Sequence, residues 1–526
     1  MDEYLKLKKP ILENPTDIIM SAGGDDRILL NERSGLNKYG CNPYPENVIA
    51  YASSTASTIS AAAYSIVEAR HHALISESKN FGEIETYHKS FQEIRNRLKA
   101  AYSISNSVSL AFGASGTDLE IAVLAITLAS EESKAHNIVV APEEVGSGTE
   151  FAARGQHFAD HTALGNSVTK GSQIEGFNES DITIGMVEVR SEQGTPLDES
   201  EIINKIELEI DWAKKNGARP IIHLVHRTKT GLIVPSWDSI QYLKNKYDDQ
   251  IDLVVDACQG RIAPETLNRY LSSDFMVIFT GSKFIGGAPF SGVLFVPEKI
   301  SERFKKAKNL PKGLGHFFTR HEWPTTWKMV DDILPKKMNY GLLLRWESAL
   351  YELERILSLS ENRVSNVIKL FQKSVEKLVD STDFLSLTGT PKNVFNEKEI
   401  LHHPFEKDMI MTLVLEGDNP ISKEKLDIED AKLVHKGLYS NLSSLLQEEN
   451  NNYSSLVIHV GQPVKCVQSP QGNWRGTLRI ALGAPLISDI AMLNENVIKN
   501  RFDADMDRLL KKMEFVLTHF RELQNL

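Results

Sequence analysis

The chain has 526 residues, 41% hydrophobic and 25% charged, with a formal net charge of −11. That length buries at least one large core, and the composition is that of a folded soluble protein, which excludes a disordered polypeptide. Acids and bases are mixed without a basic stripe, and no run of about 18 apolar residues occurs, so neither a nucleic-acid surface nor a membrane span is expected.

From the N-terminus onward, residues 1–50 read as irregular, punctuated by Gly23-Gly24 and Asn42-Pro43-Tyr44-Pro45. Alanine-rich Ser53–Ala73 and then Tyr87–Ala101 are expected helices. Strands and helices then alternate. Val108–Phe112, Asn137–Ala141, Ile182–Val187 and Pro220–Val225 are expected strands; Asp118–Ala129, Thr149–Gln156, Glu199–Lys215 and Ser236–Lys246 are expected helices. Leu253–Asp256, Phe275–Phe279 and Gly292–Val296 complete a set of continuously apolar strands. The pattern is that of an α/β domain around a mostly parallel sheet. From Asn339 a long helical stretch begins, with a break expected near Leu359-Ser360. Shorter strands follow at Met409–Leu415, Ser455–Val460 and Thr477–Leu482, with helix in part of Ile487–Gln524 and a polar loop at Gln447–Asn452. The expected division is an N-terminal segment 1–50, a large α/β domain 51–338, and a linking helix with a smaller α+β domain over 339–526.

Three cysteines (Cys41, Cys258, Cys466) have neither metal-ligand spacing nor a disulfide framework. The N-terminal MDEYLKLKKPILENP lacks the long apolar core of a signal peptide. A reducing, cytoplasmic setting is expected.

Two apolar runs end in groups that belong together chemically. Asp256 closes the run Val254-Val255-Asp256-Ala257-Cys258-Gln259, and Lys283 follows another in Phe279-Thr280-Gly281-Ser282-Lys283-Phe284. A lysine amine can condense with an aldehyde, and a strand-end carboxylate can keep a pyridine nitrogen protonated. Pyridoxal phosphate needs both. Its phosphate needs N–H donors and hydroxyls at a helix start, which Ser115, Gly116 and Thr117 offer between an apolar strand and a helix. Thr280 and Ser282 add hydroxyls beside Lys283. Each motif alone has a bland use: a capped turn, a structural ion pair, a solvated lysine. The order cradle, acid, lysine favours the joint reading.

These stretches resemble the fold-type I pyridoxal phosphate enzymes, and within them the class V group that includes cysteine desulfurases. The group carries an Asp-Ala-x-Gln strand end, then a Ser- or Thr-x-His-Lys stretch followed by glycines. Here the counterparts are Asp256-Ala257-Cys258-Gln259, then Gly281-Ser282-Lys283 and Gly286-Gly287. The resemblance implies that Lys283 forms the internal aldimine and later moves protons. It also implies that Asp256 pairs with the ring nitrogen and that Gln259 bonds the phenolic oxygen. Ser282 stands where the group has histidine. Thr477-Leu478-Arg479-Ile480-Ala481-Leu482-Gly483 resembles the group's Arg-x-Ser-x-Gly strand, so Arg479 is expected to grip the substrate carboxylate through two parallel hydrogen bonds, with Arg475 as a nearby competitor.

The group's ring-stacking histidine has no counterpart in Pro142-Glu143-Glu144-Val145-Gly146; either Glu144 or Val145 faces the ring. His226 and Thr228, after the strand Pro220–Val225, are candidate cofactor contacts, with His226 equally a polar strand end. Asn37, Tyr39 and Arg345 are candidate substrate contacts, the first two from the segment expected to reach over the site. Cys466 precedes Arg479 as a desulfurase nucleophile would, yet nothing near it in sequence marks an activated thiolate. The expected function is a pyridoxal phosphate-dependent lyase that cleaves a C–S or C–C bond in the side chain of an α-amino acid through an external aldimine. The alternatives are an aminotransferase, a decarboxylating or aldol-type enzyme, or a scaffold that keeps the fold without the activity. The resemblance further implies a homodimer. No metal is expected.

Overall fold

Valine, isoleucine, leucine and phenylalanine dominate the strands of the first part of the protein, and the residues of most of them are buried on both faces. The structure, a computed structural model, describes residues 11–32, 34–52, 58–129, 134–388, 403–407, 409–446, 452–469 and 471–524. Its strands are β1 (Ile49–Tyr51), β2 (Ser109–Gly113), β3 (Ala135–Val140), β4 (Ile182–Val187), β5 (Arg219–His226), β6 (Ile233–Val234), β7 (Asp252–Ala257), β8 (Met276–Thr280), β9 (Gly292–Val296), β10 (Leu385–Leu387), β11 (Ile410–Leu415), β12 (Ile458–Val460) and β13 (Thr477–Ala481).

The central sheet has eight strands in the order β2-β9-β8-β7-β5-β3-β4, with β6 hung on β5. Neighbours from β8 to β4 pair in parallel, while β9 runs antiparallel to both β2 and β8. The expected mixed α/β class with a mostly parallel sheet is what the protein forms. Because β2, β3, β5, β7 and β8 all point the same way, the segments that follow them emerge along one edge. Ligand groups gather there in open α/β sheets.

A second sheet, β10-β11-β13, is antiparallel, and β1 pairs in parallel with β12. That last pair ties the end of the N-terminal segment to the C-terminal part of the protein. Helix Tyr340–Leu357 bridges the two regions, packing on helices Ala61–Phe81, Glu83–Ala101 and Ala484–Ile490. It runs close beneath the loops around Lys283: a Cβ on Gly281 would lie 2.4 Å from Ala349 Cβ, and one on Gly287 2.5 Å from Ala349 Cα. Those glycines let a helix approach the site.

Several expected boundaries shift, that of the first long helix most. The first long helix starts at Ala61, where Ser60 Oγ accepts from Ala63 N, and runs to Phe81 before Gly82 at φ 86° ends it. Residues 53–57 of that expected helix, and 447–451 of the expected polar loop, lie outside the described residues. The expected break near Leu359-Ser360 is present, separating Tyr340–Leu357 from Glu361–Asp380. Among the described residues, no helix is long and apolar enough to cross a membrane.

Candidate active site

Along the sheet edge lies a cavity of about 380 Å³, lined on one side by the turn after β2 and on the others by the segments after β3, β5, β7 and β8. That volume is in the range of small-ligand sites. Helix Gly116–Leu128 begins at it. Ser115 caps the helix: its hydroxyl accepts from Asp118 N, and Asp118 Oδ2 accepts from both Ser115 N and Ser115 Oγ. Asp118 is fully buried, and burial, followed by the nearby Asp25 carboxylate, pushes its pKa up to about 7. Gly116 is the close-approach point, since a Cβ there would lie 2.5 Å from Cys258 Sγ. Thr117 completes a wall of hydroxyls and helix-terminal N–H groups.

The segments after β7 and β8 supply the opposite elements. Asp256, half-buried in β7, accepts from Cys258 N at 2.8 Å. Thr280 Oγ1 donates to the Cys258 carbonyl at 2.7 Å, which locks the two segments together. Ser282 Oγ lies 3.5 Å from Thr280 Oγ1, and Lys283 is half-buried on the cavity wall. Gln259 also lines it; its Oε1 is buried and has no hydrogen-bond partner among the described residues. A buried, unpaired amide oxygen is costly unless a ligand meets the carboxamide.

The segment after β5 and strand β13 form the third wall. Arg227 enters it with φ 68°, in the left-handed region. Arg479 is 6% exposed; its Nε donates to the Gln462 carbonyl at 2.9 Å and its Nη1 to the Lys229 carbonyl at 3.1 Å. Five guanidinium N–H donors minus those two bonds leaves three for a ligand. Burial lowers its pKa to about 10. Lys229 is a second lysine in the same cavity, with Nζ donating to the Val145 carbonyl. Burial, then the charges of Arg479 and Lys283, bring its pKa down to about 8.

Of the residues expected from sequence, Ser115, Gly116, Thr117, Thr228, Asp256, Gln259, Thr280, Ser282, Lys283, Arg479 and Tyr39 all line this cavity. Glu144 and Val145 both do as well, but Glu144 is engaged by Arg190 Nε at 2.7 Å and by the Thr230 hydroxyl and amide, so Val145 is the one of the two whose side group has no polar commitment.

Three residues fall elsewhere. His226 is turned behind the wall, with Nδ1 3.1 Å from Tyr270 OH and Nε2 3.8 Å from Glu406; burial depresses its pKa to about 3, so it is a neutral core group. Asn37 uses its amide oxygen to accept from Tyr39 N and Cys41 N, which holds the turn that presents Tyr39. Arg345 is fully buried and donates to the carbonyls of Met20, Ala22, Gly23 and Phe290. It anchors the segment that covers the site and does not reach the cavity.

Arg27, Glu120 and Lys229 also line the cavity, and none of them is expected there from sequence. Arg27 sits between the rings of Phe158 and Phe290, pairs with Asp25 through Nε and Nη2, and donates from Nη2 to Ser115 Oγ at 3.2 Å. No local signal marks it, because the contact joins residues far apart in sequence. Lys229 had one: it belongs to the polar run that ends β5.

Cys466 and Arg475 line a separate cavity of about 520 Å³ beside Arg190 and β11. Burial raises the Cys466 thiol to about 11, which suppresses the thiolate. Cys466→Ser is therefore expected to leave turnover within about two-fold of wild type in a steady-state assay; a loss of about 10²-fold, on the scale of a lost nucleophile or proton-transfer group, would return Cys466 to the chemistry.

No protein-family model and no curated protein matches the sequence. Among solved structures it is similar to a NifS-like protein, at 13% identity and a TM-score of 0.50 over 90% of this chain and 99% of that one. It is also similar to a C-DES variant with glycine covalently linked to its PLP cofactor, at 10% identity and a TM-score of 0.50 over 88% and 97%. A TDC of Oryza sativa solved with PLP aligns at 14% identity and a TM-score of 0.49 over 91% and 85%. The likeness is one of architecture: the protein has the fold-type I arrangement, with a mostly parallel central sheet.

Proposed function

We propose that the protein is a pyridoxal phosphate-dependent enzyme acting on an α-amino acid. The observation that carries this reading is the convergence, in one cavity at one sheet edge, of Lys283, Asp256 and the hydroxyl and helix-start groups of Ser115, Gly116, Thr117, Thr280 and Ser282. Gln259, with its unpaired buried oxygen, adds a polar group suited to a ring substituent. When bound, the cofactor supplies an electron sink for charge developing at the substrate Cα.

The protein's own residues supply the rest. Lys283 would hold the cofactor through Nζ and, once free, would move a proton at the substrate Cα. Asp256 keeps the ring nitrogen protonated. The helix start and hydroxyls hold the phosphate, with Arg27 behind Ser115. Arg479 orients the substrate carboxylate. A guanidinium paired with the carboxylate stabilises it as the anion and opposes its conversion to neutral carbon dioxide, which favours lyase chemistry at a C–S or C–C bond beyond Cα over loss of carbon dioxide from Cα. A homodimer, usual for this fold, belongs to the same proposal.

Two lysines in one cavity make the test sharp. The protein loaded with pyridoxal phosphate, reduced with borohydride and digested, should carry the pyridoxyl mass on the peptide containing Lys283. Label on Lys229 would reverse the assignment, and no label would end the cofactor reading. Incubating the loaded protein with an amino-acid panel then separates reaction types. Fragmentation of the substrate beyond Cα with the cofactor unchanged supports the lyase, whereas conversion of the cofactor to its amine form would replace it by an aminotransferase.

A further inference from the structure

The charges lining the cavity do not balance once each is given its partner. Arg27 is paired with Asp25, Glu144 with Arg190, and Glu120 faces His223 at 2.8 Å. Arg227 is buried, donates from Nη1 to the Gly231 carbonyl, and its charge acts on Glu406. With the cofactor bound as proposed, Asp256 and Lys283 are taken by it, and its phosphate by the helix start and hydroxyls at Ser115–Thr117. Two cations remain, Lys229 and Arg479, and they stand on one wall, joined by the bond from Arg479 Nη1 to the Lys229 carbonyl.

Neither is a solvated surface charge. Arg479 is buried and Lys229 is half-buried. Burial lowers the pKa of both, so each cation is held at a desolvation cost that a bound anion would offset. Lys229 spends one of its three donors on the Val145 carbonyl, which leaves two for a ligand in the cavity that it lines with Arg479. One carboxylate satisfies one of the two cations.

We propose that the cavity selects α-amino acids with a second carboxylate beyond Cα, with Arg479 taking one carboxylate and Lys229 the other. This rests on the cofactor reading but can fail independently of it. Lys229 is a binding residue on this account, and its charge rather than its basicity is what matters.

The test uses the full-length protein loaded with pyridoxal phosphate and follows the change in cofactor absorbance on titration with L-aspartate, L-glutamate, L-asparagine, L-glutamine and L-alanine. One of the two acids should bind at least about 10-fold more tightly than its own amide, the scale of one charge-assisted bond. In Lys229→Gln that preference should vanish while the lysine-adduct band persists, and Lys229→Arg should restore much of it. Equal binding of acid and amide by the wild type overturns the proposal. So does a Lys229→Gln variant that keeps the preference and loses only turnover, which would make Lys229 a proton carrier. So does one that loses affinity for pyridoxal phosphate itself, which would place Lys229 on the cofactor phosphate. Absence of any adduct band in the wild type would instead remove the cofactor reading on which the proposal stands.

Discussion

Lys283→Ala is expected to abolish the absorbance of the lysine-bound cofactor and to lower turnover by about 10³-fold or more, with the fold intact. Two roles fall together in this variant. On the proposed function the amine that would hold the cofactor is lost, and so is the base that would move a proton at Cα, a role worth about 10²–10⁴-fold on its own. The fold should not suffer, because Lys283 is only half-buried and no hydrogen bond or ion pair in the described structure depends on its Nζ. Its unfolding free energy should stay within about 0.5 kcal/mol of wild type. The second lysine is the built-in control. Lys229, with a pKa of about 8, is more readily deprotonated than an ordinary lysine, so if proximity and basicity were enough it would replace Lys283. It is held instead on the Val145 carbonyl. A variant that kept the band and most of its turnover would show that Lys229 carries the chemistry.

The central sheet was legible because most of its strands are buried on both faces and read as apolar runs: Gly292–Val296 coincides residue for residue with expectation, and the edge strand Ile182–Val187, partly exposed, does so from its β-branched residues. Helix Glu199–Lys215 does too, with Ile202, Ile206 and Ile210 on its buried face. The three-residue strands β1 and β10 were not legible, since so short a run carries no period and exists only through its partner. The same divide runs through the site. Groups at or just after strand ends (Ser115, Asp256, Lys283) could be placed by position, because the topology brings strand ends together. Arg27 could not, because its place depends on how a segment without long elements folds back over the sheet edge. Arg345 misled for a related reason. A charged residue in an apolar helix looks functional until its partners are known, and those partners are backbone carbonyls, which leave no mark in a sequence.

Those carbonyls make Arg345→Met the largest expected loss of stability. The guanidinium is fully buried and has no ion-pair partner among the described residues; burial pushes its pKa down to about 9. It is kept by four hydrogen bonds: Nε to Phe290 O at 2.8 Å, Nη1 to Met20 O at 2.8 Å and to Ala22 O at 2.5 Å, and Nη2 to Gly23 O at 2.8 Å. Methionine fills much of the volume but donates nothing, so several carbonyls lose their donor in a dry setting. Each orphaned group costs about 1–3 kcal/mol, partly recovered as the segment loosens and admits water. The expected net cost is about 3–5 kcal/mol, a large share of the roughly 5–15 kcal/mol typical of a domain, read as a lower urea midpoint. Arg345→Lys keeps the charge but cannot span the four acceptors, and should fall between. The effect should also reach the cavity, because Arg27 and Tyr39 are carried by the segment that Arg345 anchors, and Phe290 is gripped by it directly. Cofactor affinity should therefore fall together with stability in Arg345→Met. If instead stability held and only substrate affinity changed, Arg345 would be touching substrate, and the segment would owe its position to something other than this guanidinium.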